Sequence, residues 1–205
     1  MTKERPSAIL FDMDGVLVRS VDAWAAVVYD AGITFRGRPV SRAEFLPTFG
    51  QGTSSDVISF ELNCTTDQLD GFYTAEFEKH LDAVWVDPSA RSLLSQLREW
   101  SIGVALVTNT VGPLAHSIMR HAQLDDFFSV RATPDRVAHP KPAPDMLLLA
   151  CAELHVSPAE VWMVGDSRFD REAALAARIH FVGLEIDGDM RIDQLSELQS
   201  LVKRA

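Results

Sequence analysis

Residues 7–20 read SAILFDMDGVLVRS. A short apolar run stops at two aspartates, Asp12 and Asp14, one residue apart, and Gly15 follows at once. Continuous apolar runs, rather than alternating ones, suit strands buried on both faces of a parallel sheet. Three further runs have this character: IGVALVTNT at 102–110, EVWMVGDS at 160–167 and HFVGLEI at 180–186, with FFSVRAT at 127–133 as a weaker fifth. Each ends in polar or glycine residues.

Helical patterns lie between these runs. Asp87-Pro88 offers an N-cap with proline at the first helical position, and Leu93, Leu94, Leu97 and Trp100 form an apolar stripe after it. Pro144 opens another helix, with Met146, Leu147, Ala150, Cys151 and Leu154 at helical spacing. Ser157 and Glu160 make a capping-box pair for a short turn, and a last helix is expected over roughly 191 to 203. Strands alternating with helices predict a Rossmann-like, doubly wound α/β parallel sheet.

Residues 16–86 break the rhythm. They hold no convincing buried strand and predict helices from Ser20 to about Ala31, from Ser41 with Glu44 as its capping partner, after Thr53, and from Thr66 to about Leu81. The expected organisation is an α/β core domain made of 1–15 and 87–205, with a small α-helical cap domain over 16–86 inserted after the first strand.

The chain has 205 residues and a formal net charge of −10. That charge argues against a sequence-independent grip on nucleic acid. Cys64 and Cys151, its two cysteines, have no metal-ligand spacing and read as small buried thiols. No apolar run forms a signal-peptide core or approaches a membrane span, so no membrane partner and a cytoplasmic location are expected. Oligomeric state is left open by the sequence.

In an open parallel sheet, ligands bind beyond the carboxyl ends of the strands. The first strand delivers Asp12 and Asp14 there, the second Thr108 and Asn109, and a later one Asp166 and, four residues on, Asp170. The loop before Pro144 adds Lys141. Taken singly, each has an ordinary explanation: an Asx turn at Gly15, a helix cap at Thr108, a solvated loop charge at Lys141. Together, so many anions need a cation to remain ionised, and oxygen-only ligands point to Mg2+. Lysine and hydroxyl donors on the other side complete the surroundings of a phosphoryl group.

These residues carry a resemblance to the haloacid dehalogenase-like (HAD) superfamily, in particular its helical-cap phosphatases of the phosphoglycolate phosphatase and β-phosphoglucomutase type. DMDGVL, VTNT, KPAPD and GDSRFD match the four family motifs in order and spacing over nearly the whole chain. The resemblance implies an Mg2+-dependent phosphatase acting on a small phosphorylated metabolite through an aspartyl-phosphate. It implies that Asp12 is the nucleophile and Asp14 the general acid and base. Thr108, the Asn109 backbone N–H and Lys141 hold the phosphate. Asp12, Asp166 and the Asp14 carbonyl ligate the metal, and Asp170 supports it.

The turn Phe49-Gly50-Gln51-Gly52 is the candidate substrate loop, with Gly50 and Gln51 as contacts, and Arg19 is a candidate reader of a second anionic group. Asp14 argues against dehalogenase and phosphonatase chemistry. A β-phosphoglucomutase-like phosphomutase keeps all four motifs and is the alternative, with a non-catalytic HAD-like binding module behind it. Two positions depart from the family pattern: Arg19, where many relatives are acidic, and Ala177-Arg178, where relatives often read AG.

Overall fold

The computed structural model describes residues 5–205; residues 1–4, assigned above to the α/β core domain, lie outside them. The elements run β1 (Ala8–Phe11), β2 (Val18–Arg19), α1 (Val21–Arg36), α2 (Arg42–Phe45), α3 (Thr53–Ser59), α4 (Thr66–Phe77) and β3 (Trp85–Val86). Then come α5 (Ala90–Glu99), β4 (Gly103–Val107), α6 (Gly112–His121), β5 (Val130–Ala132), α7 (Asp145–Leu154) and β6 (Val161–Gly165). The chain closes with α8 (Arg168–Ala177), β7 (His180–Leu184), β8 (Met190–Ile192) and α9 (Glu197–Arg204).

Six strands form one parallel sheet in the order β5-β4-β1-β6-β7-β8. This is the Rossmann-like α/β class that the apolar runs predict. Successive residues of β1 serve opposite faces, as the two-residue strand period requires. Ile9 and Phe11 join Leu94, Leu97, Ile118 and Leu198 of α5, α6 and α9. Ala8 and Leu10 join Met146, Ala150, Ala173 and Ala174 of α7 and α8. Because both faces are covered, β1 and β6 are buried at every position, and alternation is absent from their sequences.

The register determines what meets at the sheet's rim. Phe11 lies opposite Leu106 on one side and Val164 on the other. The residues just beyond, Asp12, Thr108 and Asp166, are therefore brought to neighbouring strand ends.

Several elements differ from the expectations above. Helix α1 runs five residues past Ala31, through Gly32, and stops at Gly37 with φ 74°. A Cβ on Gly32 would sit 2.4 Å from the Val40 backbone nitrogen, so this glycine serves close packing rather than helix termination. Helix α4 ends at Phe77 and passes into a 3-10 turn over Glu78–Ala83. Asp87 does not cap a helix beginning at Pro88. Its carboxylate accepts from the backbone N–H and hydroxyl of Ser89, at 2.8 and 2.6 Å, and Ser89 precedes the first helical residue.

The final helix begins at Glu197 rather than near 191, because Met190–Ile192 adds an edge strand to the sheet. Residues 16–86 also contain strand: β2 and β3 pair antiparallel through Val18↔Val86 and Arg19↔Trp85. Two-residue strands leave no periodic trace in a sequence. The capping boxes expected at Ser41 and Ser157 are present, Thr65 and Gln68 form a further one at the start of α4, and both cysteines are free. Among the described residues no helix is long and apolar enough to cross a membrane.

At the Ala177-Arg178 departure, Arg178 ends α8 in the left-handed region, φ 58°, with an exposed side chain. A side chain there strains the backbone, whereas glycine does not. Arg178→Gly is expected to raise stability by about 0.5–1 kcal/mol in urea unfolding, the larger flexibility of glycine in the unfolded chain offsetting part of the gain. A loss would mean that the arginine side chain makes a stabilising contact that outweighs the strain.

Candidate active site

The turn after β1 begins with Asp12, whose backbone N–H donates to the Val164 carbonyl at 3.0 Å. Met13 accepts from Leu17 and Val18, at 3.0 and 3.1 Å, which closes the loop and points Asp14 back toward the sheet. Gly15 has φ 87°, and a Cβ there would lie 1.9 Å from Asp166 Oδ2. Glycine is required at this position for both reasons: its backbone is left-handed, and the Asp166 carboxylate occupies the space of a side chain.

Lys141 is 4% exposed, and its Nζ has three acceptors: Asp12 Oδ1 at 2.9 Å, the Val107 carbonyl at 3.0 Å and Asp170 Oδ1 at 2.6 Å. Burial alone would lower its pKa, but the charges of Asp12 and Asp170 outweigh that and hold it above the ordinary lysine value, so it stays an ammonium. Asp170 is fully buried and has both oxygens engaged, Oδ1 by Lys141 and Oδ2 by the backbone N–H and hydroxyl of Ser167 at 3.1 and 2.5 Å.

Burial, then the Asp170 charge, raise Asp12 well above the usual carboxylate range against the pull of Lys141. Burial and Asp170 likewise push Asp166 up to about 7. Carboxylate oxygens of Asp12, Asp166 and Asp170 lie within 4.8 Å of one another. Among the described residues no side-chain donor reaches Asp166. An all-oxygen donor set that holds surplus negative charge suits a hard divalent cation.

Asp14 is 7% exposed and is held at both oxygens. Oδ1 accepts from the Ser20 hydroxyl and from Trp24 Nε1, the latter at 3.3 Å, and Oδ2 accepts from the Thr110 hydroxyl at 3.0 Å. Burial raises its pKa, and these three donors oppose the rise. The sequence reading missed all three. Ser20 and Trp24 stand four apart at the start of α1, a spacing that places two donors on one helical face. Thr110 follows Thr108 by two residues, and its contact with Asp14 spans 96 positions.

Thr108 is buried, and its hydroxyl oxygen accepts from the Thr110 backbone N–H at 3.1 Å, leaving its own proton available. The side chain of Asn109 was not anticipated. Its Nδ2 donates to the Gly50 carbonyl at 2.9 Å and to the Lys141 carbonyl at 3.0 Å, tying the 49–52 turn to the lysine loop.

One pocket gathers Asp12, Asp14, Thr108 and Asn109 with Gly50 and Gln51. Its far wall is Asp56, Asp70 and Tyr73 from α3 and α4. Arg19 does not line it. In β2 the side chains alternate, Val18 inward and Arg19 outward, and the Arg19 guanidinium lies 4.8 Å from the Trp85 ring centroid in an adjoining groove that Phe49 and Asp166 also line. Arg19 thus stands outside the pocket that holds Asp12 and Thr108, on the side of Asp166.

Asp56 accepts from Gln51 Nε2 at 2.6 Å and from the Tyr73 hydroxyl at 3.0 Å. Burial pushes its pKa up to about 7 against these bonds, from an ordinary 3.8. The folded protein thus binds this proton more tightly than the unfolded chain. The resulting stabilisation is complete below the unfolded value and is lost as pH rises to about 7. Asp56→Asn removes this dependence. With chelator present, the variant's stability relative to the parent is expected to improve by about 3 kcal/mol between pH 4 and pH 8 in urea unfolding. A difference that is flat with pH would mean an Asp56 carboxyl in contact with water.

The family model for haloacid dehalogenase-like hydrolases matches residues 9–184. A phosphoglycolate phosphatase of Pseudomonas putida is 30% identical over 190 residues, covering 87% of this chain and 69% of that protein. One from Chromobacterium violaceum is 27% identical and covers 99% of each chain. The β-phosphoglucomutase of Clostridium difficile superimposes with a TM-score of 0.85 over 97% of this chain and 96% of that one; at 16% identity this is a likeness of fold.

Proposed function

Because the chain belongs to the haloacid dehalogenase-like hydrolase family, we propose that it is an Mg2+-dependent phosphomonoesterase with Asp12 as its nucleophile. The observation that carries this reading is the attachment of Lys141 to Asp12 Oδ1 at 2.9 Å, which leaves the second carboxylate oxygen free beside Asp166 and Thr108. A carboxylate attacks a phosphate dianion only where positive charge and fixed donors offset the repulsion. Mg2+, held by Asp12, Asp166 and the Asp14 carbonyl, supplies the greater part of that charge.

The chain's own residues do the rest. The free oxygen of Asp12 forms a bond to phosphorus as the bond from phosphorus to the ester oxygen breaks. Asp14 gives its proton to the departing alkoxide. In the second half, Asp14 takes a proton from water, whose oxygen attacks phosphorus and returns Asp12 as a carboxylate with release of inorganic phosphate. The clamp of Ser20, Trp24 and Thr110 supports this role, because a proton donor and acceptor must keep one orientation through both halves. The Thr108 hydroxyl and the Asn109 backbone N–H take phosphoryl oxygens, and Lys141 sets the attack angle of Asp12.

In this reading residues 16–86 act as a cap over a core made of 1–15 and 87–205, and the hydrogen bond from Asn109 to the Gly50 carbonyl supports a closed arrangement. The substrates are small phosphate monoesters, the class to which the named substrate of the phosphoglycolate phosphatase relatives belongs. The test is phosphate release from p-nitrophenyl phosphate with and without Mg2+. Release that depends on the metal is expected, and its absence at millimolar Mg2+ would overturn the proposal.

A further inference from the structure

The pocket above Asp12 has an unusual charge balance for a site that admits a phosphate ester. Four carboxylates line it, Asp12, Asp14, Asp56 and Asp70, and among the described residues no lysine, arginine or histidine does. Lys141 does not offset the far wall, because its Nζ is engaged by Asp12, Val107 and Asp170. Asp56 is buried and receives only neutral donors, Gln51 and Tyr73. With no cation beside it, burial keeps this carboxyl protonated up to about pH 7, and a bound ammonium group would favour its ionised form.

A second observation is independent of the charges. Among the described residues, two buried side-chain atoms lack a hydrogen-bond partner, Asp70 Oδ1 and Asn109 Oδ1. Both are acceptors, and both residues line this pocket. Asn109 is 8% exposed, and the two carbonyls bonded to its Nδ2 fix the amide so that the unpartnered atom is the oxygen. Such atoms are rare in folded proteins and mark places where a donor is missing.

Part of the remaining wall is aromatic. Trp24 and Tyr73 pack edge to face at 5.3 Å, Phe45 and Phe49 at 5.6 Å, and all four line the pocket. Aromatic faces attract ammonium groups, and an ammonium carries three donors and no acceptor. A neutral hydroxyl would satisfy the acceptors but gain no charge attraction from the carboxyl groups of the far wall. A carboxylate or a second phosphate would add to it.

We infer that the substrate is a phosphate monoester of an amino alcohol, with its ammonium group against Asp56 and Asp70 and its phosphoryl group at Asp12. This rests on the phosphatase reading for the position of the phosphoryl group. It separates the chain from its phosphoglycolate phosphatase relatives, whose named substrate carries a carboxylate where this pocket presents carboxylates of its own.

The test uses short esters that differ in one terminal group: aminoethyl and aminopropyl phosphate, the matching hydroxyalkyl phosphates, and phosphoglycolate. With Mg2+, the better amino ester is expected to exceed its hydroxyl counterpart about tenfold in kcat/KM and phosphoglycolate about a hundredfold. Asp70→Asn should shrink the amino-to-hydroxyl ratio about tenfold, chiefly through KM. Calorimetric titration of the Asp12→Asn variant with the same esters gives a readout independent of turnover, and the amino esters should bind at least tenfold more tightly than phosphoglycolate.

If no ester turns over but this binding order holds, the cation recess stands and the hydrolytic reading falls. If all esters turn over and phosphoglycolate or the hydroxyalkyl esters are preferred, the hydrolytic reading stands and the inference is overturned. A binding order that favours phosphoglycolate overturns it as well.

Discussion

Asp12→Asn lowers kcat for p-nitrophenyl phosphate in Mg2+ by about four orders of magnitude or more, and the protein stays folded. The loss is large because the amide lacks the nucleophilic oxygen, and the groups around it act as a unit with that oxygen. Stability moves the other way. Burial and the neighbouring Asp170 raise the Asp12 pKa well above the ordinary range, so the fold favours a neutral group at this position. Without metal, the variant's thermal midpoint is therefore expected to equal or exceed the parent's. Added Mg2+ should raise that midpoint less than it raises the parent's, since one ligand of the ion has been removed. Retention of activity within tenfold would reject Asp12 as the attacking group.

Lys141→Met is the second large effect, and it combines two losses. The side chain is 4% exposed, and its ammonium lies between Asp12 and Asp170 at 2.9 and 2.6 Å. Removing one partner of a buried ionic group leaves the others uncompensated, a destabilisation of about 3–5 kcal/mol. The sign of the pH dependence follows. Without the cation, Asp12 loses the charge that opposes its raised pKa and holds its proton still more tightly in the folded protein, so stability falls more steeply as pH rises. The deficit relative to the parent should be largest near pH 8 and smaller near pH 5, as read from urea unfolding at each pH. Turnover should fall at least a thousandfold, because Asp12 loses the contact that orients it. A deficit below about 1 kcal/mol at pH 8 would show that Lys141 is not the charge partner of these carboxylates.

The parts of the molecule legible in the sequence are those set by burial on both sides. The runs ending at Phe11, Val107, Gly165 and Leu184 form four adjacent strands because no polar residue interrupts them. Their C-terminal polar residues meet at one rim because parallel register leaves them no other place. That is why Asp12, Thr108 and Asp166 could be named together from spacing and motif.

The contacts that were missed carry no period. The bond from Thr110 to Asp14 crosses 96 residues, that from Asn109 to Gly50 crosses 59, and β2 and β3 are too short to show alternation. Arg19 lies outside the pocket of Asp12 for a related reason. Its neighbour Ser20 faces Asp14, but one step along an extended segment reverses the direction of the side chain, and Arg19 covers Trp85 instead.

The Asn109 amide has a mechanical consequence. It spans two carbonyls, one on the turn that covers the pocket and one on the loop that carries the lysine. Lifting the turn breaks only the outer of these two bonds, and water can take its place, so this fastening contributes on the order of 1 kcal/mol, less than twice the thermal energy. The inner bond does not involve the turn and holds the lysine loop independently of it. The seat of the lysine is thus fastened separately from the turn beside it.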